Sequence, residues 1–152
     1  GLAAAVLPAC GRRELSPDFS YTLLDGSPGR SQALRGKVLL VNFWATTCAA
    51  CVQEMPQIVA THRSFQPRGF DTLAVAMSHD PPAYVAHFAE SRRLPFGVVI
   101  DNTGAIARAW GDVQITPTSF LVDRRGAIVK RYVGVPDFVA LHGLVEQLLA
   151  EA

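Results

Sequence analysis

One stretch dominates what this chain can become. Val38-Leu39-Leu40-Val41-Asn42-Phe43-Trp44 is an almost unbroken apolar run, and Cys48-Ala49-Ala50-Cys51 follows it closely. A run that short and that apolar suits a central strand covered on both faces. In an α/β sheet the carboxyl ends of such strands are where ligands and reactive groups collect. An α/β domain with chemistry at Cys48 and Cys51 is therefore the first expectation.

The flanking patterns agree. Phe19–Leu24 alternates and runs into Asp25-Gly26 and Pro28-Gly29, which signals a hairpin or a tight turn. A helix is predicted from near Ala49, with Val52, Met55, Ile58 and Val59 inward and a kink at Pro56. Phe70–Met77 reads as a strand, and Pro81–Arg92 as a helix with Tyr84, Val85 and Phe88 inward. Val98–Ile100 is a short strand and Ala105–Trp110 a short helix. Ser119–Val122 and Ala127–Val133, joined by Asp123-Arg124-Arg125-Gly126, must run antiparallel. Phe138–Ala150 closes the chain as an amphipathic helix on Val139, Leu141, Leu144, Val145, Leu148 and Leu149. Strands alternating with helices imply a mixed central sheet with helices on both faces. The predicted division is an N-terminal arm, residues 1–15, and one domain, residues 16–152. With 49% hydrophobic and 18% charged residues, a chain of 152 can bury a core without disulfide staples.

Fourteen Lys and Arg stand against thirteen Asp and Glu, and the basic residues are scattered. That balance excludes the basic stripe of a nucleic-acid binder. The arm differs from the rest: Gly1 to Ala9 is small and apolar, too short to span a bilayer, and reads as the tail of an export signal. Leu7-Pro8-Ala9-Cys10 is similar to the bacterial lipobox, which sets a lipid anchor on Cys10 beside a soluble exported form as expectations.

Three cysteines are too few for a disulfide scaffold. Cys48 and Cys51, three apart at a helix start, can close a small reversible disulfide. Cys48 lies where unpaired N–H groups and the helix dipole favour a thiolate, which makes it the nucleophile. Cys51, one turn in, is the resolving thiol. Zinc would need two further ligands at short spacing, but His62 is the nearest histidine and His79, His87 and His142 are scattered beyond it, so no metal is expected. The four histidines read as surface or locally satisfied groups, with His79 notable for following a strand end.

The segment Val41-Asn42-Phe43-Trp44-Ala45-Thr46-Thr47-Cys48-Ala49-Ala50-Cys51-Val52-Gln53-Glu54-Met55-Pro56 resembles the active-site stretch of the TlpA/ResA/CcmG-type thioredoxin-like thiol-disulfide oxidoreductases, related to the AhpC/TSA redoxins. Ile115-Thr116-Pro117-Thr118-Ser119-Phe120-Leu121-Val122-Asp123 is similar to that group's cis-proline loop and next strand, and Arg125–Val129 with Val133-Gly134 to its closing hairpin. The resemblance implies a thioredoxin-like fold with an N-terminal β-hairpin extension and no cofactor. It implies Cys48 as attacking thiolate, Cys51 as resolving thiol, Pro117 as a cis-proline beside the disulfide, and Thr116 as a backbone partner for substrate. Glu54 is implied beneath the cysteine pair as acceptor of the Cys51 proton, the more so because Asn42 stands where cytosolic thioredoxins carry a buried acid. Trp44 and Trp110 read as packing residues, Trp44 with a secondary role beside the substrate.

Two departures matter. Thr47 stands where the group usually has Trp, and Ala49-Ala50 replaces a frequent Pro and leaves each N–H free toward Cys48. The implied function is that of an exported, monomeric oxidoreductase in the periplasm or on the outer side of a bacterial membrane. It would act on protein thiols and disulfides, draw electrons from a membrane donor of the DsbD/CcdA type, and reduce apocytochrome c or a copper-site assembly protein. Two alternatives stay open. A thiol peroxidase of the redoxin group would have Thr and Pro where Ala45 and Val41 stand. A Sco-like copper chaperone would have three residues between its cysteines and a distal histidine.

Overall fold

The computed structural model describes residues 12–151; Cys10 and the lipobox-like motif lie outside them. Among the described residues eight strands form in chain order: β1 (Glu14–Leu15), β2 (Ser20–Thr22), β3 (Pro28–Arg30), β4 (Val38–Trp44), β5 (Phe70–Ala76), β6 (Gly97–Ile100), β7 (Thr118–Val122) and β8 (Ala127–Val133). Four α-helices interleave: α1 (Ala49–Phe65), α2 (Pro82–Ser91), α3 (Ala105–Ala109) and α4 (Phe138–Ala150).

The main sheet has the order β1-β8-β7-β4-β5-β6, and β2 and β3 make the separate hairpin. β4 runs parallel to β5, and β5 to β6, while β7 and β8 run antiparallel, so the sheet is mixed. β1 was not foreseen. Glu14 and Leu15, assigned by sequence to the arm, pair with Ile128 and Ala127 at the edge of the domain's own sheet.

Every residue of β4 is buried, which is what its composition required. Its alternate side chains serve two cores. Val38, Leu40 and Trp44 pack with Met55 and Ile58 of α1, Val85 of α2 and Leu141 of α4. Leu39, Val41 and Phe43 pack on the other face with Ile106 of α3, Trp110 and Phe120, where the hairpin residues Phe19 and Tyr21 close the cluster. This is a thioredoxin-like fold with helices on both faces.

The β7–β8 turn shows how short polar segments fix the topology. Asp123 accepts hydrogen bonds from the N–H groups of Arg125 and Ala127, and Gly126 takes a φ of 86°, a conformation that favours glycine. α1 runs through Pro56 without ending there. Two core assignments are corrected. Tyr84 is 60% exposed and Val139 85% exposed. In α2 the inward positions are Val85 and Ala89, and Tyr84 lies about 100° round the helix from Val85. In α4 the buried stripe is Phe138, Leu141, Val145 and Leu148, and Val139 lies just past the capping Asp137, outside that stripe.

Candidate active site

β4 ends at Trp44 beside the end of β5, where Met77 N–H donates to the Trp44 carbonyl. The chain then turns through Ala45–Thr47 into α1, with Cys48 as the N-cap. Asp80 fixes this turn. It is 1% exposed, and its carboxylate accepts from Thr46 N–H at 2.7 Å and from Thr46 Oγ1 at 2.6 Å. Two charge-assisted bonds to one residue hold the backbone that delivers Cys48.

Cys48 and Cys51 form a disulfide with Cα atoms 5.2 Å apart. Cys51 N–H donates to Cys48 Sγ at 3.2 Å, and no acid occupies the first turn of α1. The positive end of the helix therefore faces the Cys48 sulfur unopposed, a setting that stabilises a thiolate. Cys48 is half-buried while Cys51 is fully buried. That asymmetry lets an incoming sulfur reach one member of the pair and not the other.

β7, antiparallel to β4, brings the second wall. Its leading peptide, Thr116–Pro117, is cis, and the Thr116 carbonyl oxygen lies 3.6 Å from Cys48 Sγ. Thr118 Oγ1 donates to the Ile115 carbonyl at 2.6 Å, and Gly134 N–H to the Pro117 carbonyl at 2.8 Å, so the loop is tied from both sides. The two cysteines, Thr116 and Pro117 therefore meet at one end of the sheet.

Beneath them lies a buried polar group. Glu54, one turn beyond Cys51 on α1, is 2% exposed. Asn42 Nδ2 donates to Glu54 Oε1 at 2.9 Å and to Ser119 Oγ at 2.9 Å. Asn42 and Ser119 are register partners on β4 and β7, which puts both side chains on one face. Glu54 Oε2 makes no hydrogen bond among the described residues. Burial lifts the Glu54 carboxyl to about 7, against a smaller downward pull from the Asn42 hydrogen bond. A carboxylate so placed can hold or release a proton near neutral pH.

Trp44 does not join the surface. It is 0% exposed and its ring packs 5.2 Å from that of Phe88, so it supports the strand end from within and cannot touch a docked chain. Trp110 is likewise core, packed against Phe120 and Phe43. His62 is buried and bonded to Thr72 Oγ1, while His79 is exposed. Asp80 and Ser119 escaped the sequence reading because their partners lie 34 and 77 residues away, at no recognisable spacing. Among the described residues no three His, Cys, Asp or Glu side chains are grouped to hold a metal ion, and no helix is long and apolar enough to cross a membrane.

Comparison with known proteins gives a consistent picture. The family model described as Redoxin matches residues 13–146. The thiol-disulfide oxidoreductase ResA of Geobacillus thermodenitrificans is 37% identical over 119 residues, covering 78% of this chain and 67% of the relative. ResA of Bacillus anthracis is 31% identical over 133 residues, covering 88% and 76%. Among solved structures, a thioredoxin candidate from Neisseria meningitidis superposes with a TM-score of 0.85 at 37% identity, covering 93% of each chain. A thiol:disulfide interchange protein of the thioredoxin family from Chlorobium tepidum gives 0.84 at 28% identity, covering 93% of this chain and all of the other.

Proposed function

The chain belongs to the redoxin family as a thiol-disulfide oxidoreductase of the ResA type, and from that premise we propose that it reduces disulfides of exported proteins through Cys48, Cys51 and Glu54. The observation that supports this most is the asymmetry of the pair: a half-buried Cys48 at the helix N-terminus beside Thr116, and a buried Cys51 one turn above Glu54.

In the reduced protein the Cys48 thiolate attacks one sulfur of a substrate disulfide. A Cys48–substrate disulfide forms, and the other substrate sulfur leaves as a thiolate. The substrate backbone pairs with Thr116 beside Pro117 while this occurs. Glu54 then takes the proton of the Cys51 thiol, and the Cys51 thiolate attacks Cys48 Sγ. The Cys48–Cys51 disulfide forms and the second substrate thiolate is released. Two electrons have passed to the substrate, and a donor of the DsbD/CcdA type resets the pair. Two arguments favour the reducing direction. A carboxylate beneath Cys51 disfavours the thiolate form, and the ResA likeness points the same way. Apocytochrome c or a copper-site assembly protein is the substrate class, and the protein works outside the cytoplasmic membrane, held there by lipid on Cys10.

Trapping tests this. Cys51→Ser should accumulate mixed disulfides with its substrates, and Cys48→Ser should form none. Adducts on Cys48→Ser would reverse the two roles. A reduction potential near the roughly −120 mV of a strong oxidant would overturn the direction.

A further inference from the structure

On the α2 side of Cys48 lies a groove of about 600 Å³ that the exchange chemistry does not use. Its walls are Thr46, Thr47, Tyr84, His87, Phe88 and Arg92. Thr47, part of the groove wall, directly precedes Cys48 in the chain.

The groove's position follows from topology. β5, which leads into α2, flanks β4 on one side, and β7, entered through Pro117, flanks it on the other. An extended chain laid across Cys48 therefore meets Thr116–Pro117 on one side and this groove on the other.

Its chemistry is uneven. The floor is aromatic: Phe88 rests on the buried Trp44, and Tyr84 stands 60% exposed. The Arg92 guanidinium sits over the Phe88 ring, 4.7 Å from its centroid, which holds the charge at the groove. Among the described residues no carboxylate lies within ion-pairing distance of Arg92. Among the described residues, the titratable groups facing the groove are His87, Arg92 and the Tyr84 hydroxyl. The nearby acids point elsewhere, with Asp80 bound to Thr46 and Glu90 lining a separate depression with Leu23 and Leu24. An unpaired, ring-anchored guanidinium beside exposed aromatic surface fits an acidic segment.

We propose that this groove is the docking subsite for the part of a protein substrate adjoining its reacting cysteine, and that it selects a segment bearing a carboxylate. The proposal rests on Cys48 being the exchanging thiol, and adds to it a basis for choosing among substrates.

The test uses the reduced full chain and two peptides that differ only in Glu or Lys two residues from a cysteine capped as its 2-pyridyl disulfide. Cys48 attacks the peptide sulfur, the peptide–pyridyl S–S bond breaks, and the coloured pyridinethione leaves. Each rate is divided by that with dipyridyl disulfide. The Glu peptide should react about three- to tenfold faster at low ionic strength, with the ratio shrinking as salt rises. Arg92→Glu should invert the order, and Tyr84→Ala should slow both peptides relative to the small disulfide. Equal peptide rates, or a preference that survives Arg92→Glu, would overturn the docking proposal while leaving exchange at Cys48 intact. Pyridinethione release that persists undiminished in Cys48→Ser would instead overturn the exchange reading, and the subsite with it.

Discussion

Asn42 Nδ2 lies 2.9 Å from Glu54 Oε1, so a side-chain amide of the central strand donates to a carboxylate one turn beyond the buried cysteine. The same nitrogen donates to Ser119, which exhausts its two protons. Among the described residues Glu54 therefore has one neutral donor and no cation to stabilise its charge, and burial dominates, lifting it to about 7.

That value predicts the pH dependence of the resolving step. Only ionised Glu54 can accept the Cys51 proton, so release of the mixed disulfide should speed up as pH rises through about 7 and then level off. Glu54→Gln keeps the Oε1 acceptor for Asn42 but cannot take a proton. Its resolving step should be slower by about 10²-fold at neutral pH, and should lose the rise through about 7 that ionisation of Glu54 gives the wild type. Stopped-flow measurement of mixed-disulfide decay across pH 5–9 checks this. Superimposable profiles would remove Glu54 from proton transfer.

The same shift has a thermodynamic consequence, best measured on the oxidised protein, where Cys48 and Cys51 do not titrate. Glu54 rises from an ordinary 4.5 to about 7, so between those values the native state binds more protons than the unfolded state. The contribution of Glu54 to stability must then fall as pH rises from about 4.5 to about 7, and it is constant above that. The loss is about 3 kcal/mol at most, one pH unit being worth about 1.4 kcal/mol. Urea unfolding of wild type and Glu54→Gln at pH 5 and pH 8 should show the variant gaining relative stability at the higher pH. A difference independent of pH would mean that Glu54 is not shifted.

Asp80 gives a prediction about positioning. Removing it breaks both bonds to Thr46 and releases the turn that delivers Cys48. Asp80→Ala should cost about 1–3 kcal/mol and lower the exchange rate about tenfold or more, since small misplacements of a reacting group are expensive. Asp80→Asn retains an oxygen for Thr46 N–H and offers an amide to Thr46 Oγ1, so it should recover most of the rate. Failure of Asn to rescue would tie the effect to charge and not to placement.

What the residues declared in advance, and what they concealed, follows from the range of each signal. Val38–Trp44 was legible because a strand buried on both faces must be apolar throughout, and Cys48 and Cys51 because a three-residue spacing puts both thiols on one helical turn. The cis Thr116–Pro117 peptide was reached only through resemblance, since no local pattern distinguishes it from a trans turn. Asp80 and Ser119 were invisible because their partners arrive by tertiary folding. Tyr84 reads as inward with Val85 and Phe88, whereas the buried stripe of α2 runs through Val85 and Ala89, whose small side chain does not stand out in the sequence.

Val139 and Leu141 turn that lesson into a measurement on α4. Both are apolar, two residues apart, and were assigned to the same buried face. Yet Leu141 is 0% exposed, in the cluster with Leu40 and Met55, while Val139 is 85% exposed and donates its backbone N–H to Asp137. Cutting Leu141 to Ala removes buried methyl groups and leaves a cavity that packed neighbours only partly fill, at a cost of about 2–5 kcal/mol. Val139→Ser removes little from contact, retains the N–H that Asp137 caps, and should change stability by about 0.5 kcal/mol or less. Chemical unfolding of the two variants separates these outcomes. A large loss for Val139→Ser would show that the exposed start of α4 is covered by another surface of the protein in solution, since the helix itself supplies no contact that the substitution could break.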